Sequence, residues 1–107
     1  MKRYSSIIHL KPESALAYKQ LHLHTWQGVL DTIHACNIRN YSIYLHGGTL
    51  YSYFEYIGSD YAADMQKMAQ DPITQAWWSL CQPMQVPVAE AKAGEGWHVI
   101  EEVFHTG

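Results

Sequence analysis

Charge is scarce in this sequence, and positive charge scarcest. Only 16% of the 107 residues are Asp, Glu, Lys or Arg, with seven basic against ten acidic side chains and a net charge of -3 when histidines are neutral. The basic residues are scattered and form no stripe, which argues against nucleic acid as the main partner. Long apolar runs are missing too. Nothing approaches the ~20 residues that a bilayer-crossing helix needs, so no membrane partner is expected. Cys36 and Cys81 are the only cysteines, too few for a disulfide framework. They fit reduced thiols, with Cys36 as packing at the end of an apolar helical stretch. The opening Met1-Lys2-Arg3-Tyr4-Ser5-Ser6-Ile7-Ile8 lacks a full signal-peptide core, so cytoplasmic residence is expected. Metal-ligand spacings are also lacking: there is no His-Glu-x-x-His and no Cys-x-x-Cys. His22-Leu23-His24 resembles a ligand pair, but residues two apart on a helix point to different sides. No metal site is expected. No Gly-x-Ser-x-Gly or Cys/His nucleophile arrangement appears, and Gly47-Gly48 opens no helix that would cradle phosphate.

Rings are abundant instead: eight Tyr, four Trp and seven His. Nearly half of the residues are apolar, which suits one packed domain over residues 1–107. Tyr, Trp and His together also line sites for small polar molecules.

The pattern along the chain predicts a strand over 4–10 and then a helix from about Pro12, which suits a first helical turn, to Cys36. Leu16, Leu23, Trp26, Leu30 and Ile33 recur at three- and four-residue intervals and predict its buried stripe, with a kink or break at Gly28. Strands over 40–46 and 49–57 flank Gly47-Gly48, a hairpin signal. Ser59 or Asp60 then caps a helix through about Ala69, and Asp71-Pro72 starts another that carries Trp77 and Trp78. A loop through Pro87 to Gly96 leads to a last strand over 97–105. The order is βαββαβ, an α+β, ferredoxin-like arrangement with a four-stranded antiparallel sheet and helices on one face. Its other face should alternate toward polar residues. Here Tyr41, Ile43 and Leu45 fall on one side of their strand and Tyr44 on the other, and in the next strand Leu50, Phe54 and Tyr56 alternate with Tyr51, Tyr53 and Ile57, so both faces are apolar or aromatic. Such a face marks an interface or a ligand pocket, and a homodimer with sheets packed face to face and a pocket in each subunit is expected.

Tyr18, His22 and Trp26 are spaced i, i+4, i+8 and share one stripe of the predicted first helix. His22 falls at the edge of its apolar face, with Tyr18 further out. An imidazole there serves either as a half-buried structural group bonded to a tyrosine or as a proton carrier beside a pocket. Trp77-Trp78 point about 100° apart on a helix, so that one indole can anchor the core while the other edges a cavity and stacks on a sugar. Glu55, Glu101 and Glu102 are carboxylates with the same two options, solvated or assisting His22.

In order and spacing, Tyr18-x-x-x-His22-x-x-x-Trp26, Asn40-Tyr41-Ser42-Ile43-Tyr44-Leu45, Phe54-Glu55, Trp77-Trp78 and Glu101-Glu102-Val103-Phe104 resemble the L-rhamnose mutarotase family over nearly the whole chain. The resemblance implies a dimeric α+β barrel and cofactor-free interconversion of the α and β anomers of L-rhamnose. It places His22 at the catalytic proton donor and Tyr18, Tyr41, Trp77 and Trp78 at sugar-contacting positions. Leu23-His24 and His46 depart from the family's pattern, which leaves L-fucose or another aldose open as the substrate. Two other readings share the fold: a cofactor-free monooxygenase or isomerase of the same barrel type, and a non-catalytic sugar-binding module.

Overall fold

The computed structural model describes residues 1–107. Its sheet is built on β1 (Lys2–Leu10), the longest-paired strand. β2 (Ile38–His46) and β3 (Thr49–Tyr56) form a hairpin whose turn places Gly47 and Gly48 at φ +59° and +76°. Two consecutive left-handed residues match the twist of a hairpin, and glycine adopts them without a Cβ clash. β3 pairs antiparallel with β1, Ile8 facing Leu50 and Ser6 facing Ser52. The fourth column of the sheet is split. β4 (Gln85–Val86) pairs with His9 and Leu10, and β5 (His98–Ile100) pairs with Ser5 to Ile7, both along the free edge of β1.

The predicted last strand is therefore shorter than 97–105. In the β5 register Ser5 faces Ile100, so Arg3 falls opposite Glu102 and the chain outruns the start of β1 just beyond. Arg3 Nε donates to Glu102 Oε1 at 3.0 Å; Val103 and Phe104 lie exposed past that ion pair. The two-residue β4 falls within the stretch predicted as loop after Pro83 and has too little length to announce itself by alternation.

The predicted helix over 12–36 is two helices. A 3-10 turn at Pro12–Ser14 leads into α1 (Ala15–Leu23), and α2 (Gln27–Ala35) follows after a break. The break lies at 24–26, not at Gly28. Thr25 Oγ1 donates to the carbonyl of His22 at 3.2 Å, and Trp26 takes extended backbone angles (φ −61°, ψ 138°) as the N-cap of α2. Gly28 serves close packing: a Cβ there would stand 2.8 Å from Ile73 Cδ1. The predicted stripe also fails in α1. Leu16 and Leu23 are 68% and 77% exposed, and Leu30 in α2 is exposed, whereas Tyr18 and Val29 are buried. With the helix broken, each half turns its own face to the sheet, and α1 turns Tyr18 and Leu21 inward.

α3 (Tyr61–Gln70) and α4 (Pro72–Cys81) follow the predicted caps. Asp60 accepts from the Ala63 amide at 3.1 Å, and Asp71 from the Thr74 amide at 2.9 Å. Both helical pairs cover one sheet face. The main cluster joins Ile8, Leu10 and Leu50 to Tyr18, Val29, Trp77 and Cys81; a second holds Cys36, Ile38 and Met68. Both cysteines are buried and free. A bulge in β2 makes the sheet edge work. Pairing steps from Arg39–Glu55 to Ser42–Tyr53, so one extra residue is accommodated, with Asn40 at φ +51°. The bulge switches the alternation, which lets Ile38 and Ile43 both face the helices and puts Tyr41 beside Phe54, 5.5 Å between ring centroids.

Candidate active site

The site begins with a helical spacing. Tyr18 and His22 are four residues apart on α1, so their rings meet: centroids 4.2 Å apart, planes 24° apart. His22 Nδ1 lies 2.8 Å from the Tyr18 backbone oxygen. A carbonyl only accepts, so Nδ1 carries the hydrogen and Nε2 is left to exchange a proton. From α4, Trp77 meets His22 edge-on at 5.3 Å and Trp26 edge-on at 5.2 Å. The ring chain expected along one continuous helix is thus rebuilt across two, with Trp77 bridging the break. Three partners hold the imidazole: a carbonyl, a phenol and an indole.

Beside it is a recess of about 430 Å³ between α1 and β2, lined by Tyr18, Lys19, His22, Leu23, Ile43, Tyr44, Leu45 and Leu50. That volume falls within the ~300–1,000 Å³ usual for small-ligand sites. Ile43, Leu45 and Leu50 make an apolar wall on the sheet side, and Tyr18, Lys19, His22 and Leu23 come from α1. A smaller recess of about 210 Å³ lies by Met1 and Tyr61 and contains none of these groups.

Of the residues singled out from the sequence, Tyr18 and His22 line the recess. Tyr18 is 4% exposed, so it lies inward of His22 and not further out. Its hydroxyl accepts from Gln85 Nε2 at 3.3 Å. Burial pushes its ionisation well above the ordinary phenol value, and Tyr41 and Cys81 add to the rise. Tyr41 therefore lies within electrostatic reach of Tyr18, on the same sheet face as Ile43, although it is not in the lining. Tyr41 is 41% exposed, and its phenol ionises only well above neutral pH. Both phenols keep their protons at neutral pH.

The tryptophans divide as adjacent helical residues must. Trp77, 5% exposed, backs His22. Trp78 packs against both core clusters. Neither lines the recess. The carboxylates do not assist His22 in this structure: Glu55 accepts from Asn40 Nδ2 at 2.7 Å and from the Tyr53 hydroxyl at 2.8 Å on the opposite sheet face, and Glu102 is paired with Arg3. Gln85 is the residue that sequence reasoning missed. It falls in the two-residue β4, and nothing in a lone Gln before Val86-Pro87 connects it to Tyr18, 67 residues earlier. No group of three or more His, Cys, Asp or Glu side chains is arranged to hold a metal ion.

The curled antiparallel sheet with helices on one face defines the chain as an α+β-barrel-type domain. The same architecture occurs in the crystal structure of an L-rhamnose mutarotase from Formosa agariphila (TM-score 0.77, 20% identity, all of both chains). It also occurs in tetracenomycin F2 cyclase, a type-II polyketide cyclase from Streptomyces glaucescens (TM-score 0.62, 14% identity, 100% of this chain and 97% of that one). At those identities the likeness is one of fold. Sequence is more specific. The profile of the L-rhamnose mutarotase family matches residues 3–106. L-rhamnose mutarotases of Listeria monocytogenes and Bacillus subtilis are 32% and 30% identical over 84 and 86 residues, each match spanning 78% of this chain and 80% of the relative. The chain belongs to the L-rhamnose mutarotase family, a family of isomerases.

Proposed function

We propose that the protein is a mutarotase that interconverts the α and β anomers of L-rhamnose by acid/base ring opening and closure, with His22 as the proton carrier. One observation carries this reading: Nδ1 of His22 is engaged by the Tyr18 carbonyl beside a recess of ligand size, which dedicates Nε2 to proton exchange. In the imidazolium form Nε2 gives its proton to the ring oxygen as a base takes the proton of the anomeric hydroxyl. The bond from C1 to the ring oxygen breaks, the aldehyde turns about C1–C2, and the steps reverse on its other face. The Tyr18 carbonyl steadies the positive ring throughout by a charge-assisted hydrogen bond. With Glu55 and Glu102 engaged elsewhere, Glu101 outside the recess lining and both phenols protonated, water serves the anomeric hydroxyl. Only protons move, so the reaction itself calls for no metal or redox cofactor. Tyr18 and Tyr41 contact sugar hydroxyls, the apolar wall takes the C6 methyl, and Trp77 and Trp78 shape the site mainly from behind.

The apolar exterior of the sheet supports a homodimer. Tyr44 pairs across to Tyr51, and Tyr51 to Ile7, in one row on the face away from the helices, with Ile100 and the exposed Val103 and Phe104 near its edge. A second copy would cover them. Two free buried thiols and the absence of a helix long and apolar enough to cross a membrane accord with residence in the cytoplasm. The likeness to a polyketide cyclase and the apolar recess wall favour one rival, a cofactor-free enzyme acting on aromatic substrates.

NMR saturation transfer between anomers, run on L-rhamnose, L-fucose and several other aldoses, tests the assignment. The protein should accelerate exchange most on L-rhamnose. Unchanged exchange on every sugar, with oxygen uptake on a quinol, would favour the rival.

A further inference from the structure

We propose that Gln85 is a positioning residue that fixes the Tyr18 hydroxyl as a hydrogen-bond donor toward the bound sugar. The inference rests on the mutarotase reading for the identity of the ligand, but not for the geometry. Gln85 is held from three directions. It pairs with Leu10 in β4, the preceding Met84 carbonyl accepts from the Lys11 amide at 2.8 Å, and the side chain is half-buried. From that fixed base Nε2 donates to the Tyr18 oxygen at 3.3 Å. The amide thereby occupies the phenol oxygen as an acceptor, and no side chain or carbonyl takes the phenol's own proton. Tyr18 is among the lining residues of the recess, and its unshared proton is the one left for a bound ligand. A buried phenol that stays protonated cannot present a phenolate, and with its oxygen engaged by an amide it is a poor acceptor. It selects an oxygen that will accept: a sugar hydroxyl oriented by its neighbours.

This polarity is reversible by one substitution. In Gln85→Glu a carboxylate takes the Tyr18 proton and turns it from the sugar. Gln85→Leu removes the donor and supplies no acceptor. The ligand to measure is 1,5-anhydro-L-rhamnitol, which keeps the ring oxygen but has no anomeric hydroxyl and cannot mutarotate. Calorimetry should give about tenfold weaker binding for Gln85→Leu, the scale of one oriented hydrogen bond. For Gln85→Glu the loss at pH 8 should be on the order of a hundredfold, deeper than for the leucine variant, because a charged acceptor is involved. Loss of packing alone would make Gln85→Leu the worse of the two.

Native-like binding by Gln85→Glu at pH 8, or a loss no deeper than that of Gln85→Leu, overturns the proposal. If the glutamate variant melts early, native-like binding by folded Gln85→Leu overturns it equally. Anomer exchange on L-rhamnose is measured alongside. A native protein that binds the anhydro sugar without accelerating exchange sinks the mutarotase reading while Gln85 is still judged from binding; one that does not bind it sinks both.

Discussion

His22→Asn separates the two jobs that the imidazole performs. The asparagine amide overlies the Nδ1 side of a histidine ring, so its Nδ2 can keep donating to the Tyr18 carbonyl, now 2.8 Å from His22 Nδ1. Nothing replaces Nε2. The substitution also removes two ring contacts, the stack on Tyr18 at 4.2 Å and the edge contact with Trp77 at 5.3 Å. At about 0.5–1.5 kcal/mol per ring pair, stability should fall by roughly 1–3 kcal/mol, a loss that most domains survive. Activity should fall much further. A positioned acid/base is worth about 10²–10⁴-fold, which is about 3–5 kcal/mol of barrier. The variant should thus stay folded, still bind L-rhamnose, and lose at least a hundredfold in exchange rate by saturation transfer. His22→Ala, lacking the carbonyl bond as well, should be no more active and less stable. A folded His22→Asn that exchanges anomers at the native rate would refute proton transfer through this ring.

Trp77→Ala should cost about 3–5 kcal/mol in urea unfolding, since it empties a core position and removes the backing of His22; Trp77→Phe should be far milder. Acid should destabilise the protein through two carboxylates. The Tyr56 hydroxyl and Asn37 hold Asp64 below the ordinary range, and the Thr74 amide and hydroxyl do the same for Asp71. A depressed folded value means that the stabilisation is present above about pH 4, the ordinary carboxylate range, and is lost as pH falls through the lower folded values. The melting temperature should therefore drop below that pH, with a shallower slope in Asp64→Asn or Asp71→Asn. Tyr51→Lys with Phe104→Lys should convert a dimer to a monomer by sedimentation while leaving the helical signal intact; an unchanged sedimentation coefficient matching one chain in the native protein would rule out the sheet-to-sheet dimer.

The first three strands and the helix caps were legible because their signals are local. Gly47-Gly48, Asp60 and Asp71-Pro72 act within four residues, and the structure puts them to the expected use. The amphipathic stripe of the first helical region misled because it assumed one continuous helix. A break of three residues gave each half its own face, which left Leu16 and Leu23 outside and Tyr18 inside. Within the site, the pairing of Tyr18 with His22 was legible since it lies within one turn. The bridging of His22 to Trp26 through Trp77 was not, because no spacing encodes a contact between α1 and α4. Trp78 and Trp77 could not be told apart before the cores were known. Glu55 looked available from sequence; the bulge at Asn40 turns an amide onto it on the far face of the sheet. Gln85 lay beyond reach because its strand is two residues long and its partner distant.

A crystal of the protein soaked with L-rhamnose asks where the sugar is held. The pyranose should occupy the recess between α1 and β2, its ring oxygen within hydrogen-bond reach of His22 Nε2 and a sugar hydroxyl on Tyr18. A sugar bound elsewhere, or an empty recess at saturating L-rhamnose, would contradict the assignment of this site.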